Sequence, residues 1–168
     1  MSARMTVTAE NYIAADLAAS VLERKLNAAM DGSGMYVDVS YNCRIYPEER
    51  FNLLVSVSEI VQDGLVSGAE TPIEALSRVR DVLSELHMME VDDDELKFLK
   101  GRLKNAITME MTDPVYWVDA IVLRYLDGKD LSPSYASKID AVNVAKVQSV
   151  LRMLDAGCKV EYVTSKKN

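Results

Sequence analysis

The succession of patterns along this 168-residue chain predicts an α+β fold, an antiparallel-rich sheet covered by helices on one face. Three observations carry that reading: a long 3.6-residue apolar periodicity near the amino end, two alternating stretches directly after it, and several helix-like segments before a last alternating run. The strict strand and helix alternation of a doubly wound sheet is missing.

The first helix is expected from about Ala9 to Met30, with Ile13, Leu17, Val21, Leu22, Leu26 and Ala29 on one stripe and Glu23, Arg24 and Lys25 opposite. Asp31-Gly32-Ser33-Gly34 stops it, since glycine supplies positive φ and Asp and Ser bond local backbone. Two strands follow. Tyr36 to Cys43 puts Val37, Val39, Tyr41 and Cys43 on one face, and Phe51 to Ser58 does the same with Phe51, Leu53, Val55 and Val57. Their other faces carry Asp38, Ser40, Asn42, Asn52, Ser56 and Ser58, the pattern of a sheet wetted on one side. Pro47, Glu48 and Glu49 supply the hairpin turn.

Gly64 to Thr71 reads as loop, ending in Thr71 and Pro72 as the cap and first position of a second helix through Ile73, Leu76, Val79, Leu83 and Leu86. Asp92, Asp93, Asp94 and Glu95 crowd the start of a third helix, where the positive end of the macrodipole favours carboxylates, and Leu96, Leu99, Leu103, Ala106 and Ile107 form its stripe. Asp113 and Pro114 open a fourth helix with Trp117, Ile121, Val122 and Tyr125, closed by Gly128; Ser132 and Pro133 open a fifth. Asn143 caps a sixth through Val147, Val150, Leu151 and Leu154, and Gly157 ends it. Lys159 to Thr164 reads as a last edge strand, and a short strand before the first helix completes the order.

Composition narrows the function classes. With 49% hydrophobic residues the chain can bury one core and is expected to form a single domain over 1–168. Its net charge of −7 repels phosphate backbones and anionic lipid, so no nucleic-acid partner is expected. No run approaches the ~18 apolar residues of a spanning helix, so no membrane span is expected either. The residues leave the compartment open, cytoplasmic or periplasmic if bacterial. Cys43 and Cys158 lack metal or redox spacing and read as buried thiols.

Catalytic chemistry finds little to use. A zinc peptidase site needs two imidazoles and a carboxylate, and His87 is the one histidine. His87-Met88-Met89-Glu90 begins like the HxxEH signature, but position 91 is Val, so His87 reads as a surface or boundary residue and no metal ligand is assigned. The Asp92 to Glu95 run is explained by a helix start, with no His or Lys placed to complete an acid/base set. Tyr116, Trp117, Tyr125 and Tyr135 read as packing residues, with a peptide-binding wall as the sharper alternative.

Six segments in order, ASVLERKLNAAM, DGSGMYVDVSYN, FNLLVSVS, DDDELKFLKGRLKNAI, TDPVYWVDAIVLRYLDGKDL and SYASKIDAVNVAKVQSVLRMLDAGCKVEYV, resemble the carboxy-terminal type of repeat domain in pitrilysin/insulinase-like zinc peptidases, the group that includes mitochondrial processing peptidase. The resemblance implies an α/β sandwich that is one of four domains around a chamber for short unfolded peptides. It places zinc in the first domain of the parent enzyme, through HxxEH, and no cofactor on this chain. It also implies that this chain is a fragment of a longer peptidase, inactive alone, whose partners are the other domains and peptide substrate; a scaffold subunit of the same fold is the alternative. Active versions of the last domain resemble one another in an Arg and a Tyr that hold the substrate carbonyl. Tyr36 stands where that Tyr would be and is the one candidate substrate-binding residue, against an ordinary strand tyrosine. The Arg has no counterpart: Asn27, Ala28, Ala29 and Met30 occupy its place.

Overall fold

The computed structural model describes residues 1–62, 65–66, 71–127 and 135–162. It is α+β, as the sequence predicts. In chain order the elements are β1 (Ser2–Arg4), α1 (Ala9–Ala29), β2 (Met35–Arg44), β3 (Arg50–Glu59), β4 (Val61–Gln62), β5 (Leu65–Val66), α2 (Pro72–Ser84), a 3-10 turn (Leu86–Met88), α3 (Asp93–Glu110), α4 (Pro114–Asp127), α5 (Tyr135–Ala141) and α6 (Val144–Asp155). The main sheet runs β1-β3-β2, all antiparallel, with Val37 opposite Val57 and Cys43 opposite Phe51. β4 and β5 form a separate two-stranded ribbon.

α1 is the centre of the molecule. The Thr8 hydroxyl caps it by accepting from the Asn11 N–H at 3.2 Å. Ile13, Leu17, Val21, Leu22 and Leu26 are buried as predicted, and Ala14, Ala15, Ala18 and Ala19 are buried too. The small alanines let other elements approach closely on the remaining sides, so β2 lies under α1 while α2, α3, α5 and α6 surround it. Phe51 and Leu53 of β3 and Val37 of β2 complete the core against the sheet. The outer face of the sheet carries exposed Tyr36, Asp38, Ser40, Asn42, Leu54, Ser56 and Ser58.

Several helix starts follow the predicted chemistry. At α2 the Thr71 hydroxyl accepts from the Glu74 N–H and the Glu74 carboxylate accepts from the Thr71 N–H, a full capping box. Asp92 caps α3 by accepting from the Glu95 N–H at 3.1 Å, and Asn143 caps α6 through the Lys146 N–H at 2.9 Å.

Some expectations fail. Lys159 to Glu161 and Tyr162 form no strand; the pairing stops at a single bridge between Ser2 and Cys158. β1 is only three residues long, and Glu161 is drawn away by a two-point ion pair with Arg80 of α2. Ile73 lies on the exposed side of α2, whose buried residues among those described are Ala75 and Val79; Leu86, expected in this helix, is buried in the 3-10 turn that follows it. Leu65 and Val66, expected in loop, pair with β4. Cys43 is half-buried and Cys158 exposed, not two buried thiols. The predicted stops and starts at Gly128, Ser132 and Pro133, and the end of the last strand, lie outside the described residues. Among the described residues, no helix is long and apolar enough to cross a membrane.

Candidate peptide-binding edge of the sheet

β2 is an edge of the sheet, and its amino-terminal half is fastened by the turn that delivers it. Gly32 and Gly34 adopt φ of 75° and 74°, the left-handed geometry that lets the chain reverse straight out of α1. Between them Ser33 is buried; its hydroxyl donates to the Met30 carbonyl at 2.6 Å and accepts from the Met35 N–H at 3.0 Å. In the last turn of α1, the Asn27 side chain meets Val37 with both ends of its amide: Oδ1 accepts from the Val37 N–H at 2.9 Å and Nδ2 donates to the Val37 carbonyl at 2.6 Å. Asn27 thus stands in for a neighbouring strand at Val37. Because ladder groups alternate in direction, Val39, Tyr41 and Cys43 share the phase of Val37 toward the outer edge.

Tyr36 sits at this junction, 46% exposed on the outer face of the sheet. Its hydroxyl donates to Glu23 Oε1 at 3.2 Å, and that hydrogen bond, followed by the glutamate charge, raises the phenol above its ordinary pKa. Its single proton is therefore aimed at a carboxylate. Asn27, nine residues before Tyr36 in the stretch where the family resemblance would put an Arg, is engaged with the Val37 backbone.

The other end of the edge holds an aromatic and acidic group that the sequence reading did not single out. Tyr41 Oη donates to Asp16 Oδ2 at 3.0 Å, and the Tyr12 ring meets Tyr41 edge-on at 5.4 Å. Burial pushes the Asp16 carboxyl up to about 6, against the Tyr41 hydrogen bond and with help from the Glu110 charge at the end of α3. Burial also raises Tyr12. The available signal was Asp16 itself, a charge inside the apolar run Ala14-Ala15-Asp16-Leu17-Ala18.

The remaining candidates are explained locally. His87 is half-exposed, with Nδ1 3.2 Å from Asp155 Oδ2. Glu95 pairs with Arg24 at 3.0 Å, Asp92 caps α3, and Asp93 and Asp94 lie in its first turn. Among the described residues, no three His, Cys, Asp or Glu side chains gather as metal ligands. The aromatics of α4 do not pack inside as expected: Trp117 and Tyr125 are exposed.

No protein-family model matches the chain, and no curated protein matches it. Solved structures do. The ferredoxin protease FusC, in complex with Arabidopsis ferredoxin, superimposes with a TM-score of 0.67 at 16% identity over 91% of this chain and 16% of its own. The periplasmic protease PqqL from Escherichia coli gives 0.62 at 16% identity, covering 90% of this chain and 16% of its own. The inactive peptidase domain of a Bordetella parapertussis protein assigned as a zinc protease gives 0.59 at 14% identity, covering 90% and 80%. The chain therefore shares its fold with parts of these proteases, and it spans about one sixth of the length of FusC and PqqL.

Proposed function

We propose that this chain is a non-catalytic partner domain of a pitrilysin/insulinase-type zinc peptidase. It packs against an HxxEH-bearing domain that holds the zinc and helps to wall a chamber for short or unfolded peptides. An extended peptide lies beside the β2 edge, adding main-chain hydrogen bonds in the manner of a further strand. The observation that carries the non-catalytic part is the junction of α1 and β2: the Tyr36 proton points at Glu23, and Asn27 is spent on the Val37 backbone. A developing oxyanion needs donors free to turn toward it, and a neighbouring carboxylate opposes it. The fold shared with zinc-protease domains supports the rest.

The test mixes this chain with the HxxEH domain encoded with it and unfolded peptides of ~10 to 30 residues. Association, and peptide cleavage confined to the mixture, is the expected result. Cleavage by the chain alone, with stoichiometric zinc, overturns the reading. Association with no cleavage and no peptide binding supports a scaffold subunit of the same fold instead.

A further inference from the structure

α4 is apolar nearly all round, yet among the described residues it makes at most marginal contact with any other element. A helix of that composition is normally buried. Its start is firmly seated: Asp113 Oδ1 accepts from the Val115 N–H at 2.9 Å, Trp117 Nε1 donates to the Met111 carbonyl at 2.8 Å, and Tyr116 stacks edge-on against Trp117 at 5.3 Å. Val115, Trp117, Val118, Ile121, Val122 and Tyr125 are between 41% and 78% exposed, and Met109 and Met111 extend the patch from the end of α3.

The spacing of this patch is informative. Val115, Val118, Val122 and Tyr125 follow one another at three, four and three residues, the seam of a two-stranded coiled coil, and Trp117 and Ile121 flank it one turn apart. The four seam positions carry no charge. The intervals three, four, three read the same in both directions. An antiparallel copy of α4 would therefore set Val115 opposite Tyr125 and Val118 opposite Val122, small against large at the ends and matched in the middle. At ~150–260 Å² per fully exposed side chain, the six helix residues present roughly 650 Å² of apolar surface, close to the ~800 Å² each partner contributes to a standard interface.

We propose that α4 is one half of an antiparallel helix pair whose other half is α4 of a second copy of this chain, giving a two-fold symmetric dimer. The paired surface is separate from the β2 edge and independent of the peptide-binding reading.

Light scattering after size exclusion, over a dilution series, tests it with the 168-residue chain. Doubled mass at tens of micromolar is expected, falling to single-chain mass on dilution. Trp117 is the only tryptophan, so its emission should move to longer wavelength in step with dissociation. A Val118→Asp, Val122→Asp variant should be monomeric throughout, with a urea midpoint that does not depend on concentration and matches that of the diluted, single-chain wild type, since both side chains are exposed in one copy. Three results overturn the pairing: a wild type that remains single at hundreds of micromolar, a dimer that survives the double variant, and a monomer whose α4 is instead required to bind an HxxEH domain.

Discussion

Replacing Asn27 with Ala tests whether the fastening of β2 to α1 is as strong as its geometry implies. The amide makes two bonds to one strand residue, at 2.6 and 2.9 Å, and a third to the Glu23 carbonyl at 3.0 Å. The third is local to α1, where the carbonyl already takes part in the helix, so only the Val37 pair counts toward holding the two elements together. A neutral hydrogen bond contributes about 0.5–1.5 kcal/mol net, and Asn27 is half-buried, so water partly replaces what is lost. The expected destabilisation is about 2 kcal/mol, or ~4–8 °C in Tm for a chain of this size. Urea unfolding followed by far-UV circular dichroism reads it directly, with an unchanged m-value. Asn27→Asp sharpens the test: it keeps the acceptor for the Val37 N–H but sets a carboxylate against the Val37 carbonyl, so at neutral pH it should be at least as damaging as Ala. An Ala variant within ~0.5 kcal/mol of wild type would refute the claim that Asn27 closes this part of the edge.

Asp16 should make stability depend on pH. Its folded pKa of about 6 lies above the ordinary 3.8, so the folded state binds the proton more tightly; the contribution of Asp16 to stability is full below about pH 4 and is lost as pH rises through 6. The ionised carboxylate costs on the order of 2–3 kcal/mol at pH 7, so Asp16→Asn, which still accepts from Tyr41, should raise the urea midpoint at pH 7 and flatten its slope from pH 7 to 4; an unchanged slope contradicts the assignment. Gly157→Ala should destabilise, because the added Cβ would collide with the Ser2 carbonyl oxygen at the bridge that ties the amino terminus to the end of α6, where Ser2 N–H and Cys158 N–H donate across at 2.8 and 2.9 Å; amide exchange of Ser2 and Cys158 should accelerate, and unchanged protection speaks against it. Tyr36→Phe removes only an exposed hydrogen bond and, with the hydroxyl proton held by Glu23, should leave stability within ~0.5 kcal/mol and peptide affinity unchanged; a tenfold loss of peptide affinity would contradict this and make the hydroxyl a substrate contact.

What was legible in the sequence is what short-range chemistry decides. Caps at Thr71, Asp92 and Asn143 and the Asp31 to Gly34 turn all stand where residue type alone puts them, because a side chain within three residues of its backbone partner needs no tertiary context. The alternation of β2 and β3 likewise names the buried face. The edge fastening was not legible: Asn27 and Val37 are ten residues apart, and only the geometry of the reversal brings the amide to the strand backbone. Asp16 and Tyr41 are separated by twenty-five residues and meet across the same reversal. The last strand failed for a related reason. Its alternating letters are real, but the strand it would join is three residues long, and an ion pair from α2 claims Glu161 first.

The misreading of α4 bears most directly on assembly. Large aromatics at helical spacing are ordinarily core, and on that rule Trp117 and Tyr125 belong inside. The rule assumes a vacancy. Here α1 is the element to be covered, and its alanine faces are already occupied by α2, α3, α5 and α6, with β2 beneath. The supply of apolar helix surface exceeds what one copy of the fold can bury: single exposed apolar residues such as Ile73 and Phe98 lie on other helices, and the largest contiguous group lies on α4. Scattered apolar residues need no partner; a contiguous seam at coiled-coil spacing does. The two proposed surfaces differ in kind: a peptide beside the β2 edge would be held by directional hydrogen bonds suited to transient binding, whereas α4 offers non-directional burial suited to a lasting interface.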